Sequence, residues 1–347
     1  MKVGMPLEYA GGFLETVDEL VEYERAGLQM VFVPEVYGFD AVSQLGYIAA
    51  KTETLEIASG IMQLYSRTPS LTAMTAAGLD YVSGGRFTLG IGASGPQVVE
   101  GFHGVPYQQP LVRIREVIEI CRSVWRRENL EYEGRHFTIP LPKEKGGTGL
   151  GKPLRLINRP VRDRIPIMVA ALGEKSVAQV AAIAEAWEPV FYVPERAHLV
   201  WGESLERGLA KRDPDLGPLD IVTGVGLAIG DDVEALTSQA RDQLALYIGG
   251  MGARGKNFYN DLAVGYGFEE EAKTIQDLYL DGRKAEAAAA VPDELVRSTN
   301  LIGPLEYVKE RLSALDENGV TTLMVSPLSP DRSRRMADVA TVRELVS

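Results

Sequence analysis

Eight short runs of apolar and β-branched residues recur along the 347-residue chain, most of them followed by a stretch with helical spacing. The runs are KVGMPL from residue 2, QMVFVPE from 29, LEIASGI from 55, RFTLGIG from 86, IPIMVAA from 165, PVFYV from 189, DIVTGVGLAI from 220 and TTLMVS from 321. Between them lie FLETVDELVEYERAG, SLTAMTAAGLDYVSGG and LVRIREVIEICRSVWRR; in the last, Val112, Val117, Ile118, Cys121 and Trp125 share one helical face. Strands apolar almost throughout belong in a parallel sheet buried on both faces. Eight βα units in this length predict an α/β protein of the (β/α)8, or TIM-barrel, class. A doubly wound open sheet is the alternative that the same alternation allows.

Two insertions interrupt the repeat, near 130–164 and near 247–290. The first is rich in Gly, Pro and basic residues, and the second opens with the glycine- and aromatic-dense YIGGMGARGKNFYNDLAVGYGF. Loops this long inside a compact domain are commonly functional or mobile. No linker divides the chain, so residues 1–347 are expected to form a single barrel domain.

The segment GIGASG contains a literal G-x-G-x-x-G at Gly90, Gly92 and Gly95. A dinucleotide fingerprint needs glycines that open a helix directly and an acidic residue about 20 positions on. Here Pro96 follows Gly95, position 115 is an arginine within a predicted helix, and three strands already precede the motif. The segment reads better as the C-terminal end of the fourth barrel strand, where glycine lets a flat ring or a phosphate approach the backbone.

A net charge of −12 disfavours a nucleic-acid partner. No apolar run is long enough to span a bilayer and the N-terminus lacks a signal-peptide pattern, so a cytoplasmic protein without membrane contact is expected. The single cysteine, Cys121, fits a reducing compartment and reads as core. His103, His136 and His198 lack metal-ligand spacing, and no metal is expected. Carboxylate runs such as ETVDELVEYE read as solvated helix faces.

The strand ends carry the chemistry. Glu35 closes the second strand, Gly60 and Ile61 the third, and AALGEKS follows the fifth. In the last, Gly173 turns the chain while Lys175 and Ser176 begin a helix. Free N–H groups, the positive helix end and Lys175 make an anion site suited to a phosphate-bearing cofactor; an ordinary helix start capped by Ser176 is the other reading.

Taken in order, VPEVYGFDA, IASGIMQLYSRTP, LDYVSGGRFTLGIGASGPQVVEGFHGVP, GTGLGKPLRLI, IPIMVAALGEKSVAQVAAIAEAW, IGGMGARGKNFYND and LIGPLEYVKERLSALDENGVTTLMV resemble the luciferase-like monooxygenase superfamily. GTGLGKPLRLI and GGMGARGKNFYN resemble its branch that uses the deazaflavin coenzyme F420. The likeness covers nearly the whole chain. It implies a bacterial luciferase-like barrel with the cofactor ring at the C-terminal mouth. It also implies a non-prolyl cis peptide at Gly60–Ile61, beside Met62, backing the ring. A phosphate loop is implied over Ala171, Leu172, Gly173, Glu174 and Lys175, with Gly92, Ser94 and Gln97 along the cofactor and Arg67 beside it or paired with Glu35. Where relatives often read Ala-Asp-Gly-Trp, this chain has Ala184, Glu185, Ala186 and Trp187, a change expected at a helix C-cap. Some F420 enzymes place a histidine near the end of strand two; Glu35, Val36, Tyr37 and Gly38 stand there instead, which argues against a sugar-phosphate dehydrogenase.

The resemblance implies hydride transfer between reduced F420 and an electron-poor small molecule, with Glu35, Tyr37 or Asp40 as proton donor. Arg254, Lys256 and Asn257 are expected in a lid that meets a polar substrate or the cofactor tail, or in a subunit contact. An FMN-dependent monooxygenase and a non-catalytic F420 binder are the alternatives. A homodimer or larger homo-oligomer is implied by the family likeness.

Overall fold

The computed structural model describes residues 1–7 and 12–347. Its eight parallel barrel strands are β1 (Lys2–Pro6), β2 (Met30–Val33), β3 (Glu56–Ser59), β4 (Phe87–Gly92), β5 (Ile167–Ala170), β6 (Ala186–Glu188), β7 (Asp220–Ile229) and β8 (Thr322–Pro327). Each pairs with the next, and β8 pairs with β1. The sheet therefore closes into a TIM barrel, and the open doubly wound alternative is ruled out. Helices α1 (Phe13–Arg25), α2 (Ala41–Lys51), α3 (Pro69–Val82), α4 (Pro110–Trp125), α5 (Glu174–Ile183), α6 (Ala197–Leu209), α7 (Glu234–Ala245), α8 (Leu305–Glu317) and α9 (Arg332–Leu345) lie between and after the strands.

The two-residue period of each strand divides its side chains between two cores. Val3, Val31, Ile57, Leu89, Val169, Trp187, Leu227 and Leu323 face outward and pack with the helices, where Cys121 is also fully buried and its thiol is pushed up by that burial. Met30, Phe32, Ala58, Met168, Ala186, Val222 and Met324 fill the lumen. Large lumen residues need small partners. A Cβ on Gly4 would lie 2.8 Å from the Phe32 ring, and one on Gly60 would lie 2.9 Å from Phe32 Cβ. Toward the N-terminal ends of the strands, Lys2 and Glu56 pair at 2.6 Å.

Two sequence expectations are corrected here. The sixth strand is Ala186–Glu188, not the run at 189–193. Pro189 cannot donate to a ladder and Phe191 takes a left-handed φ of 48°, so that run cannot continue the sheet. Consequently Ala186 is a lumen residue of β6; the C-cap of α5 is Ala184.

The carboxylate run on α1 is not a uniformly solvated face. Glu19 pairs with Arg335, and Glu24 accepts the backbone N–H groups of Glu53, Thr54 and Leu55 ahead of β3. Burial alone would raise the Glu24 carboxyl, but these donors outweigh it and hold it below its ordinary 4.5. A depressed native value stabilises the fold above the unfolded value, and that contribution fades as pH falls through the native one. Glu24→Gln is expected to remove about 1 kcal/mol at neutral pH, the modest size reflecting solvent screening. Urea denaturation at pH 7 and pH 3 checks this: the gap between parent and variant should shrink at the lower pH.

The connection from α4 to β5 carries a small hairpin, Tyr132–Glu133 against Thr138–Ile139. Glu116 of α4, nearly fully buried, anchors it by accepting from the N–H groups of Arg135, His136 and Phe137 at 2.6, 3.0 and 3.0 Å. At the far end of the connection Arg162 grips Asp80, whose side chain is 0 % exposed. The long excursion after β7 is mostly helical and contains a π-helical turn at Leu246–Gly250. Among the described residues no helix is long and apolar enough to cross a membrane.

Candidate active site

The end of β3 departs from regular pairing. Ala58 pairs with Thr88 of β4, and the short segment Met62–Gln63 rejoins β4 at Ile91 and Gly92. Four steps on one side (58 to 62) oppose three on the other (88 to 91), which is a β-bulge. Within it the Gly60–Ile61 bond is cis. The bulge leaves Gly90 without a ladder partner on β3, and Ser59 closes the gap: its Oγ donates to Gly90 O at 2.8 Å and accepts from Gly90 N–H at 2.9 Å. A Cβ on Gly90 would lie 1.8 Å from Ser59 O. Gly90 thus serves the packing of the bulge, whereas Gly92 leaves room for the Ile61 side chain, whose Cδ1 lies 2.9 Å from where a Cβ would stand. Gly95 caps the short helix Pro96–Val99. Ser94, half-buried, holds a left-handed φ of 56°, a conformation often kept at functional sites. Gln97 is exposed. Met62 faces the outer core, so only its backbone borders the mouth.

Glu35 is fastened on all sides. Its N–H donates to Ile61 O at 3.2 Å, its carboxylate meets Arg67 at 2.5 and 2.8 Å, and it also accepts Ala41 N–H at 2.9 Å. That geometry makes it a brace between β2, the bulge and α2, with both oxygens engaged. The pair raises the Arg67 guanidinium further above its usual value. Asp40 caps α2 by accepting from Ser43, whose hydrogen bonds outweigh burial and hold the Asp40 carboxyl below its ordinary value. Tyr37 is 67 % exposed and its ring tilts against Phe102 at the rim.

The loop Ala171–Lys175 carries the geometry of an anion cradle. The indole N–H groups of Trp187 and Trp201, in the outer core, donate to the carbonyls of Ala171 and Leu172 at 2.9 and 2.8 Å. In a trans peptide the next N–H points opposite its carbonyl, so the N–H groups of Leu172 and Gly173 are turned away from the outer layer. Gly173 is the N-cap of α5 with no side chain capping it; Ser176 instead donates to Gly173 O at 2.7 Å. Exposed Glu174 and Lys175 form the first turn. These residues fit a phosphate group through their N–H groups and the Lys175 charge.

The proposed lid residues have mixed placements. Asn257 is an internal cap, since its Nδ2 donates to Tyr247 O and Ile248 O while its Oδ1 accepts from Tyr259 and Asn260. It therefore has no free polar atom to offer a substrate. Arg254 pairs with Asp277 at 2.9 Å, and Lys256 is exposed. Tyr247 and Tyr259 pack edge-on against each other and against Phe191, joining this excursion to the loop after β6.

Three polar residues near the mouth were not found from sequence. Buried Gln63 donates to His103 Nε2, leaving its own Oε1 without a partner, and His103 packs against Phe102. Glu188 ends β6 in register with Ala170. Gln63 and His103 lie forty residues apart, so no local spacing links them; Glu188 carried a signal, as the one charged residue in AWEPVFYV. Among the described residues no cluster of His, Cys, Asp or Glu is disposed to hold a metal. A cleft of about 690 Å³ beside Arg241 and Asp293 lies among the helices after β7 and includes none of the strand-end residues.

Residues 2–322 match the sequence model of the luciferase-like monooxygenases. The chain is 39 % identical over 342 residues to the "Putative coenzyme F420-dependent oxidoreductase Rv3520c" of Mycobacterium tuberculosis, covering 97 % of this chain and 98 % of that protein. It is 26 % identical over 319 residues to the 5,10-methylenetetrahydromethanopterin reductase of Archaeoglobus fulgidus, covering 90 % and 89 %. The structure of the coenzyme F420 dependent tetrahydromethanopterin reductase from Methanopyrus kandleri superposes with a TM-score of 0.79 at 21 % identity, covering 98 % of this chain and 97 % of that one.

Proposed function

The chain belongs to the luciferase-like monooxygenase family, and from that premise we propose that it is an oxidoreductase passing hydride between reduced coenzyme F420 and a small organic substrate. The observation that carries the reading is the near-full-length likeness to a relative whose name specifies F420. The bulge and the cradle at Ala171–Lys175 support it. When bound, the deazaflavin supplies a hydride at one ring carbon.

This chain's residues do the rest. Ile61 and Gly92 form a smooth wall for a flat ring, and Gly60 lets that wall close on Phe32. The N–H groups of Leu172 and Gly173, the start of α5 and Lys175 hold a phosphate. Ser94 and Gln97, on the β4 loop, border the cofactor. Glu35 and Arg67 hold the bulge against α2 and so fix the ring's backing. Tyr37 and Phe102 at the rim, with Lys256 beyond, limit what enters.

Separate fluorescence titrations with F420 and FMN test the proposal. Saturable binding of F420 alone is expected, weakened about tenfold by Lys175→Ala through loss of one charge-assisted contact. Preference for FMN would move the protein to the oxygen-using branch. Tight F420 binding without turnover on any acceptor would make it a carrier of the cofactor.

A further inference from the structure

Among the described residues, β6 brings a carboxyl group into the lumen above its apolar filling. Ala186 faces the lumen and Trp187 the outer core, so the two-residue period of β6 turns Glu188 into the lumen one tier nearer the mouth. Its register partner is Ala170, and the Ala170 Cβ lies 3.5 Å from where a Gly92 Cβ would stand, next to Ile61. Ile61, Gly92, Ala170 and Glu188 thus follow one another around the mouth, from the bulge to the carboxyl.

Glu188 is half-buried, and its Oε2 is sealed from solvent with no hydrogen-bond partner. The next residue, Pro189, has no N–H to offer. The flanking strands bring Met168, Ala170 and Val222, none of them polar in the side chain. Among the described residues, titratable groups on the neighbouring elements are engaged elsewhere or exposed. Glu185, before the strand, is held by Arg122 and Arg164, and Asp220 starts β7 opposite Ala186 with its side chain exposed. Glu195, past the following loop, pairs with Arg311. Burial keeps Tyr192 and Tyr247 protonated, Tyr192 up to about 12. A carboxylate desolvated without a counter-charge among the described residues is costly, so burial favours the protonated form and pushes the group from 4.5 up to about 7.

We propose that Glu188 is the proton donor of the reaction, delivering a proton to the substrate heteroatom at the end of β6. This rests on the hydride-transfer reading above and narrows the substrate to a compound with a polarised C=O or C=N bond. Hydride from the reduced deazaflavin forms a C–H bond at the electron-poor carbon, and the π bond breaks with its electron pair moving to oxygen or nitrogen. That atom takes the Glu188 proton, leaving a carboxylate to be reprotonated from solvent. Two electrons and two hydrogens enter the substrate, and the deazaflavin is oxidised.

Glu188→Gln and Glu188→Met test it with two independent readouts. Because the native carboxyl binds its proton more tightly than the unfolded one, it subtracts stability as pH rises from about 5 to 8. Both variants should therefore gain melting temperature over the parent at pH 8 and show little difference at pH 5. With F420 bound equally well, Glu188→Gln should lower turnover of carbonyl and imine acceptors about 100-fold and abolish the loss of activity above pH 7. Parent-like turnover with an unchanged pH profile, or stability curves that do not diverge with pH, overturns the role of Glu188 alone. Failure of the parent itself to bind F420 overturns the hydride-transfer reading and the proton's destination with it.

Discussion

Alanine at position 90 is expected to cost the protein at least about 3 kcal/mol, because the added carbon falls on a backbone atom that has nowhere to go. The clash is with Ser59 O at 1.8 Å, whereas the second contact, Met168 Cε at 2.9 Å, is a side-chain end that can swing aside. Moving Ser59 would break the two hydrogen bonds by which its hydroxyl serves Gly90. Gly92→Ala is the matched control: its new carbon meets side chains alone, Ile61 at 2.9 Å and the Ala170 Cβ in ordinary contact at 3.5 Å. Denaturant unfolding should show Gly90→Ala unfolded or strongly destabilised and Gly92→Ala within about 1 kcal/mol of the parent. Equal effects would mean that the bulge is not rigidly clasped.

The second large effect concerns Asp80 and Arg162. Arg162→Met should destabilise the protein by about 3–5 kcal/mol, since it strands a fully buried carboxylate. It also removes the donor to Phe87 O on β4. Asp80→Asn should be milder. The Arg162 side chain is 32 % exposed, so its charge can still reach water, and Phe87 O remains within its reach. An Asp80→Asn loss as large as that of Arg162→Met, in parallel urea titrations, would show that the charge on Asp80 is not what the pair serves.

The closed barrel was legible because parallel strands buried on both faces leave apolar runs: six of the eight runs contain the strand observed, and a seventh, TTLMVS, stops one residue short of it. The sixth was misread because only three residues pair there, while the apolar run beyond owes its character to outer-core packing by Tyr192 and Val193. That slip hid Glu188, which sits at a strand end. The resemblance placed the cis bond at Gly60–Ile61, where the structure has it. Residue type alone cannot reveal engagement. Asn257 and Asp40 have the chemistry of ligand contacts, yet both are used up as helix caps. Likewise the indoles that orient the Ala171 and Leu172 carbonyls come from positions 187 and 201, beyond any local pattern.

The lumen also bears on how such a sequence can diverge. In its middle, large and small residues are matched across strands: Gly4 against Met30 and Phe32, Gly60 against Phe32, Gly90 against Met168. A change at one member of such a set survives only if another changes with it, so these positions should drift as linked groups. Tyr37, Gln97 and Lys256 are exposed, and no matching of this kind ties them to a lumen partner. Exposed loop positions can therefore change faster than the barrel beneath them.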